Sequence, residues 1–506
     1  MNPPHQVEVR PADEFNKTLV ANAHPPDWVN PKPSGRYNLV VVGAGTAGLV
    51  AAAGAAILGA RVALIERHLM GGDCLNYGCV PSKALIRSAR AAYAVGEARE
   101  FGIESANPKI EFADVMRRLR RVRAEIAPHD SAQRFRKLGV DVYLGGARFV
   151  DKGSVEVDGQ RLLFKKAIIA TGAHAASLPV PGLEAAGYLT NENVFSLTEL
   201  PRRLIVIGGG PIGCELAQAY ARLGSQVSLV SDMAALLPRE DADAAGILEQ
   251  QFRREGIELF LGAKVERAEK STVGKILILE RGRGKETLVG DEILLAVGRA
   301  PNVEGLSLES AGVKYDAKGV IADDHLRTSN SNIFAAGDIA SKYQFTHAAE
   351  ALGRIALQNA LFFGRKRASK LVVPWCTYTD PEIAHAGLYE KDAKESGIDV
   401  QTLTLALTET DRAVVDGDTA GFVRVHVNRK NGRLLGATLV SRHAGESIGE
   451  LVLAIQRGTK VGELSAVIHP YPTEAEIIKR IGDASMRGRL KAWIKQALVK
   501  FFQWRR

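Results

Sequence analysis

Tyr37-Asn38-Leu39-Val40-Val41-Val42-Gly43-Ala44-Gly45-Thr46-Ala47-Gly48 reads as an apolar strand running into a Gly-x-Gly-x-x-Gly turn. An alanine-rich helix follows, and a second strand over Arg61–Ile65 ends at Glu66. The same order returns at Arg203–Ile207, Gly208-Gly209-Gly210-Pro211-Ile212-Gly213, a helix through Leu223 and a strand over Gln226–Val230. A glycine-rich turn alone is a weak sign, because such turns are common. Here each turn has a strand before it, a helix after it and a second strand at the right distance, which makes the sign strong. In such a unit the first glycine makes a tight turn and the second lets a pyrophosphate approach the backbone. The third permits close helix–strand contact, and the helix N-terminus faces the phosphates. Gly43, Gly45 and Gly48 take these places in the first copy, and Gly208, Gly210 and Gly213 in the second. The fold class is therefore α/β, with two Rossmann-like dinucleotide-binding domains.

The copies differ after the turn. Glu66 stands eighteen residues beyond Gly48, where a carboxylate can accept hydrogen bonds from a ribose. Eighteen residues beyond Gly213 stands Ser231, with Asp232 next. A hydroxyl tolerates a 2′-phosphate better than a carboxylate does, whereas Asp232 would repel one, so NADH and NADPH both stay open. The stretch Leu39–Ala60 is uncharged, but its five glycines in a strand–turn–helix order make it a nucleotide loop rather than a membrane span.

Working outward, 506 residues exceed one hydrophobic core, so several domains are expected. Residues 1–35 are polar and rich in proline (Pro25, Pro26, Pro31, Pro33) and read as a poorly ordered arm without a secretory signal. A cytoplasmic location follows. The first dinucleotide domain is expected over 36–187, the second over 188–299, and a central region over 300–372. From 373 to 486 short alternating strands precede a helix near Glu446–Arg457, the pattern of a separate α+β domain. Residues 487–506 form a basic tail. Seven of the nine net positive charges lie after Asp483, so the rest of the chain is near neutral and carries no nucleic-acid footprint.

Gly71-Gly72-Asp73-Cys74-Leu75-Asn76-Tyr77-Gly78-Cys79-Val80-Pro81-Ser82-Lys83 is the most informative stretch. Four cysteines in a chain this long are not a disulfide scaffold, yet two of them sit five positions apart. Pro81 suits the first residue of a helix running through Ala92, which puts Cys79 just ahead of the N-terminus, where backbone N–H groups stabilise a thiolate. Cys74 can close onto Cys79 if the turn is tight. Zinc would need a second Cys or His pair nearby, and none is there. No metal site is expected. The pair reads as redox-active.

This segment resembles the active-site motif of the flavin-dependent pyridine nucleotide-disulfide oxidoreductases, the class of glutathione reductase, dihydrolipoamide dehydrogenase and mercuric reductase. The resemblance runs from Tyr37 to Gly482 and includes Ala170-Thr171-Gly172, Ala296-Val297-Gly298-Arg299, Asn332–Asp338, Val373-Pro374 and Tyr378–Glu382. It implies FAD on 36–187, completed by 300–372, with Gly72, Thr171 and Gly172 near the cofactor. It implies NAD(P)H on 188–299, closing at Gly298, and a homodimer formed through 373–486. It further implies that Cys79 is the charge-transfer thiolate against the flavin and Cys74 the interchange thiol facing substrate. Asp338 would bind the ribityl chain, and Lys83 would pair with Glu215 beside the flavin ring, where a lysine stabilises negative charge.

One departure bears on the substrate. Thiol-disulfide members use a His–Glu dyad from across the dimer, and the matching region is His469-Pro470-Tyr471-Pro472-Thr473-Glu474-Ala475-Glu476. His469 with Glu474 is one register, and Tyr471 with Glu476 the other. The Pro-Thr step and the spacing from Gly445-Glu446 favour Tyr471 with Glu476, as in mercuric reductase. A phenol of ordinary pKa about 10 is a poor base at neutral pH. Mercury itself is disfavoured, since residues 1–35 lack cysteine and the last residues, Gln503-Trp504-Arg505-Arg506, lack the vicinal cysteines of a thiolate relay.

Leu490, Trp493, Ile494, Ala497, Leu498, Phe501 and Phe502 repeat at helical spacing among lysines. This basic amphipathic helix suits peripheral contact with the inner membrane surface or docking on the protein's own dimer. The expected activity is FAD-dependent electron transfer from NAD(P)H through Cys74 and Cys79 to a metal ion or small oxidant. Alternatives are a dihydrolipoamide dehydrogenase or low-molecular-weight disulfide reductase, and a membrane-associated redox sensor.

Overall fold

The computed structural model describes residues 7–104, 109–282, 284–488 and 492–506. They group into two compact units, Met1–Leu236 with Phe252–Leu371, and Leu237–Gln251 with Val372–Arg506.

The first unit opens with a correction. From residue 7 on, the N-terminal arm is ordered: helix α1 (Glu14–Ala23) is capped by Asp13, whose side chain accepts from the Asn16 amide, and it buries Leu19 and Ala23. Arg120 and Arg123 reach across to Asp13 and Asn16, the Trp28 indole N–H donates to the Val142 carbonyl, and the Met70 amide donates to the Ala23 carbonyl. The prolines flank this helix rather than interrupt it. The contacts that order the arm come from partners about a hundred positions away in the chain, beyond what the local proline pattern shows.

Strand β1 (Arg36–Val42) is buried on both faces along its last four residues, as its unbroken apolar run requires of a central parallel strand. Helix α2 (Thr46–Ile57) returns to β2 (Val62–Glu66). After a helical turn over Gly72–Asn76 come helix α3 (Cys79–Glu97) and α4 (Phe112–Ile126). The sheet is completed by β3 (Val140–Leu144), β4 (Ala147–Asp151), β5 (Ser154–Val157) and β6 (Gln160–Ile169) in the order β3-β2-β1-β6-β5-β4. A late strand, Ile333–Ala335, pairs parallel with β6, so the chain comes back to this sheet after the second nucleotide unit.

That second unit is β7 (Arg203–Ile207), α5 (Pro211–Arg222), β8 (Gln226–Ser231), β9 (Glu258–Leu261) and β10 (Glu292–Leu295), with parallel order β9-β8-β7-β10. Helix α6 (Thr346–Leu361) then packs on α2, where a side chain on Gly353 would strike the Ala47 backbone.

The second compact unit is an antiparallel sheet of β11 (Trp375–Thr377), β12 (Glu382–Gly387), β13 (Val400–Ala406), β14 (Phe422–Asn428) and β15 (Leu434–Ser441), in the order β11-β12-β15-β14-β13. Helices α7 (Ala444–Arg457) and α8 (Glu476–Gly488) close its core, and α9 (Ala492–Trp504) follows. The segment 237–251 belongs here because Glu240 accepts from the Trp375 indole and the Tyr389 hydroxyl, and Arg424 pairs with Asp241 and Asp243. Among the described residues no helix is long and apolar enough to cross a membrane.

Candidate functional site

Both glycine loops are built the same way. Gly43 and Gly208 adopt φ of +102° and +121°, which only glycine takes without strain. A side chain on Gly43 would run into the Ala170 carbonyl, and one on Gly208 into the Ala296 carbonyl. Thus Thr171, Gly172 and Gly298 follow directly on the strand ends that close over the loops. The third glycines, Gly48 and Gly213, would drive a Cβ into the carbonyl oxygens of Gly43 and Gly208. Their task is to let helix and loop touch, more than helix and strand.

The second glycines differ. Gly45 and Gly210 cap α2 and α5 in extended backbone that any residue adopts, and neither helix has a side-chain cap among the described residues. Nothing lies within 4 Å of the place a Gly210 side chain would take. Open first-turn N–H groups with room above them fit a pyrophosphate. Over Gly45 the backbone of Gly72 closes in, since a Cβ on Gly72 would meet Gly45 Cα at 2.6 Å. The cysteine segment therefore starts on top of the first loop, its Gly71 amide donating to the Ala44 carbonyl at 2.9 Å.

Glu66 ends β2 beside that loop, its two carboxylate oxygens accepting from the amides of Ala44 and His68, both at 2.8 Å. Burial raises its pKa. Ser231 ends β8 in the matching place, buried, and accepts from the Met233 amide at 3.2 Å, while Asp232 is exposed.

Helix α3 starts at Cys79 itself and runs to Glu97, two residues earlier and five later than its sequence suggests. Pro81 occupies the third position, where its missing N–H still costs nothing. Cys79 thus lies in the first turn, and Thr346 Oγ1 of α6 is 3.2 Å from its sulfur. The two cysteines are free thiols. Cys79 is pulled down to about 6, first by a hydrogen bond from Cys74 and then by the positive charge of Lys83, against the opposing effect of burial. Cys74 is pushed up, chiefly because its proton is held by the Cys79 sulfur. One sulfur is poised as thiolate, the other as thiol.

Lys83 lies one turn along α3, and its ammonium donates to Glu215 of α5 at 2.8 Å. Here the structure brings together two residues that the sequence keeps 132 positions apart. Arg299, which follows the Val297-Gly298 step, lies between two carboxylates: its guanidinium is 3.2 Å from Asp73 and 3.6 Å from Asp338. Burial pushes Asp338 up to about 6 in spite of that arginine. Asn191 adds a 3.0 Å hydrogen bond to Asp73. The signal that could have found Arg299 is its place after a strand-ending Val-Gly step.

Neither expected pairing is made within the chain. Tyr471 donates to Asp411 at 2.9 Å and is 70% exposed, while Glu476, at the start of α8, holds Arg480 one turn on. His469 pairs with Glu450 at 2.9 Å instead of Glu474, which accepts from the His443 amide. The Asp411 carboxylate raises the Tyr471 pKa. Cys214 is buried in α5 against the Gly209 carbonyl, as a small apolar residue would be.

The family described as pyridine nucleotide-disulphide oxidoreductase matches residues 37–353, and its dimerisation domain matches residues 373–481, which supports a homodimer. A mercuric reductase from Staphylococcus aureus is 34% identical over 446 residues, 88% of this chain and 82% of the relative. A dihydrolipoyl dehydrogenase from Thermus scotoductus is 35% identical over 461 residues, 88% of this chain and 97% of the relative. The solved structure of the HOCl-induced flavoprotein disulfide reductase RclA from Escherichia coli aligns with a TM-score of 0.78 at 29% identity, covering 88% of this chain and 99% of that one. The chain belongs to the pyridine nucleotide-disulphide oxidoreductases, enzymes that use FAD and NAD(P)H.

Proposed function

We propose that this enzyme uses NAD(P)H to reduce a soft metal ion or a small oxidant at Cys74 and Cys79. FAD, when bound on the Gly43–Gly48 loop, carries two electrons between nicotinamide and sulfur. The chain's own residues do the rest. One hydride equivalent opens a Cys74–Cys79 disulfide into a Cys74 thiol and a Cys79 thiolate, so the single proton it brings ends on Cys74. The asymmetry of the two thiols supports this assignment. Lys83, held by Glu215, keeps positive charge beside the thiolate. An acceptor then takes two electrons from the pair, the sulfurs close, and the Cys74 proton leaves.

The acceptor class rests on one observation. Tyr471 is exposed, and Asp411 raises its pKa further; in the register that the Pro-Thr step favours, it stands where thiol-disulfide members carry a basic imidazole. It serves as a donor or a neighbour to a soft ion, not as a base. His469, which the dihydrolipoamide reading needs, is tied to Glu450 through Nε2, and its Nδ1 is buried without a partner among the described residues. Steady-state NAD(P)H oxidation with soft-metal ions, small oxidants, oxidised glutathione and lipoamide tests this reading. Turnover with the first two classes is expected, and brisk lipoamide turnover would overturn it.

A further inference from the structure

The two last helices of the second unit treat their apolar residues in opposite ways. Helix α8 buries Ile477, Ile478 and Ile481 in the domain core. In α9, among its described residues, none is buried: Trp493 is 66% exposed and Trp504 81%, and Leu498, Phe501 and Phe502 are also exposed. Within its own chain the apolar face of α9 is left uncovered. Leu490 falls outside the described residues, as do Arg489 and Lys491.

The arrangement around α9 is orderly. At about 100° per residue, Trp493, Trp504, Ala497, Phe501, Ile494, Leu498 and Phe502 fill one continuous arc of roughly 180°. Lys500 borders that arc on one side and Lys495 on the other. Both lysines can lay their methylenes along the apolar face and lift their ammonium groups out of it. Arg505 stacks over the Phe501 ring at 5.7 Å. No acidic residue follows Asp483.

We propose that α9 is a docking surface for an anionic lipid bilayer, lying in the plane of the headgroups. Charge complementarity selects this occupant. Lys495 and Lys500 sit at the borders of a wide aromatic face, where phosphate headgroups meet acyl chains, and two tryptophans lie near one edge of it. A second copy of α9 would bring Lys495 and Lys500 against their own kind with no carboxylate to answer them. A nucleic acid would meet a face of aromatic and aliphatic side chains rather than a row of cations. A homodimer carries two such helices, so its two contacts reinforce each other. This inference does not rest on the identity of the electron acceptor.

The test is sedimentation of the full-length flavoprotein with vesicles of phosphatidylcholine alone and of phosphatidylcholine with phosphatidylglycerol. The wild type is expected to sediment with the anionic vesicles, with a blue shift of tryptophan emission, and to be released several-fold as salt rises to about 0.5 M. Phe501→Ser with Trp504→Ser, and Lys495→Glu with Lys500→Glu, should each weaken binding at least ~10-fold while leaving NAD(P)H oxidation unchanged. Removal of 492–506 serves if either double variant does not fold. A wild type that stays in the supernatant, or variants that bind as well as it does, would overturn the proposal. So would a loss of the dimer in the variants, which would make the face an interface between copies.

Discussion

Lys83 Nζ donates to Glu215 Oε2 at 2.8 Å, and this bond ties the helix that begins with Cys79 to the helix that leaves the second glycine loop. Glu215 is almost wholly buried, whereas Lys83 is 37% exposed, so the carboxylate fixes the ammonium rather than the reverse. Lys83→Met removes a charge that lowers the Cys79 pKa. The pH at which the reduced enzyme loses its thiolate should rise by about one unit, and the stability loss should be only ~1 kcal/mol given the exposed lysine. A pH titration of thiolate absorbance checks the first, and thermal unfolding the second.

The two glycine loops share one steric design. Gly48→Ala and Gly213→Ala each force a Cβ onto a carbonyl, at a cost of about 1–3 kcal/mol. Gly48→Ala should purify with reduced flavin content. Gly213→Ala should keep its flavin and raise KM for NAD(P)H roughly 10-fold. Flavin absorbance and steady-state kinetics separate the two.

Arg299 stands between the carboxylates of Asp73 and Asp338. Arg299→Met leaves both without it and should destabilise the protein by about 2–3 kcal/mol. The pH dependence has a definite sign. Asp338 already titrates near 6, above an ordinary carboxylate, so its ionisation opposes folding as pH rises through that range. Loss of the arginine enlarges that opposition. The deficit in melting temperature should be greater at pH 8 than at pH 5.

Leu19 is fully buried in an arm that its prolines made look loose. Leu19→Ala should cost about 3 kcal/mol with little change in kcat. A change within about 0.5 kcal/mol would mean that the arm contributes nothing to the unit it covers.

What the sequence carried well was local. The strand–glycine–helix order sits within some thirty consecutive residues, and Cys74 and Cys79 within six, so spacing alone reported them. The Lys83–Glu215 pair needed the resemblance, because nothing along the chain links the two positions. What escaped was set by partners far apart. Asp13 meets Arg120, Thr346 meets Cys79 and Arg299 meets Asp73, each across more than a hundred residues. The partners of the C-terminal residues escaped for the same reason: Asp411 and Glu450 lie outside the motif, yet they take the tyrosine and the histidine.

The central claim is that Cys79 is the thiolate and Cys74 its proton-bearing neighbour. Anaerobic reduction of Cys74→Ser and Cys79→Ser, followed by absorbance of the thiolate–flavin charge-transfer band, tests it directly. Cys74→Ser, which keeps a hydroxyl donor at that place, should retain the band at neutral pH and lose it as pH falls through about 6. Cys79→Ser should show no band at any pH. A Cys79→Ser enzyme that keeps the band, or a Cys74→Ser enzyme that lacks it, would contradict the account.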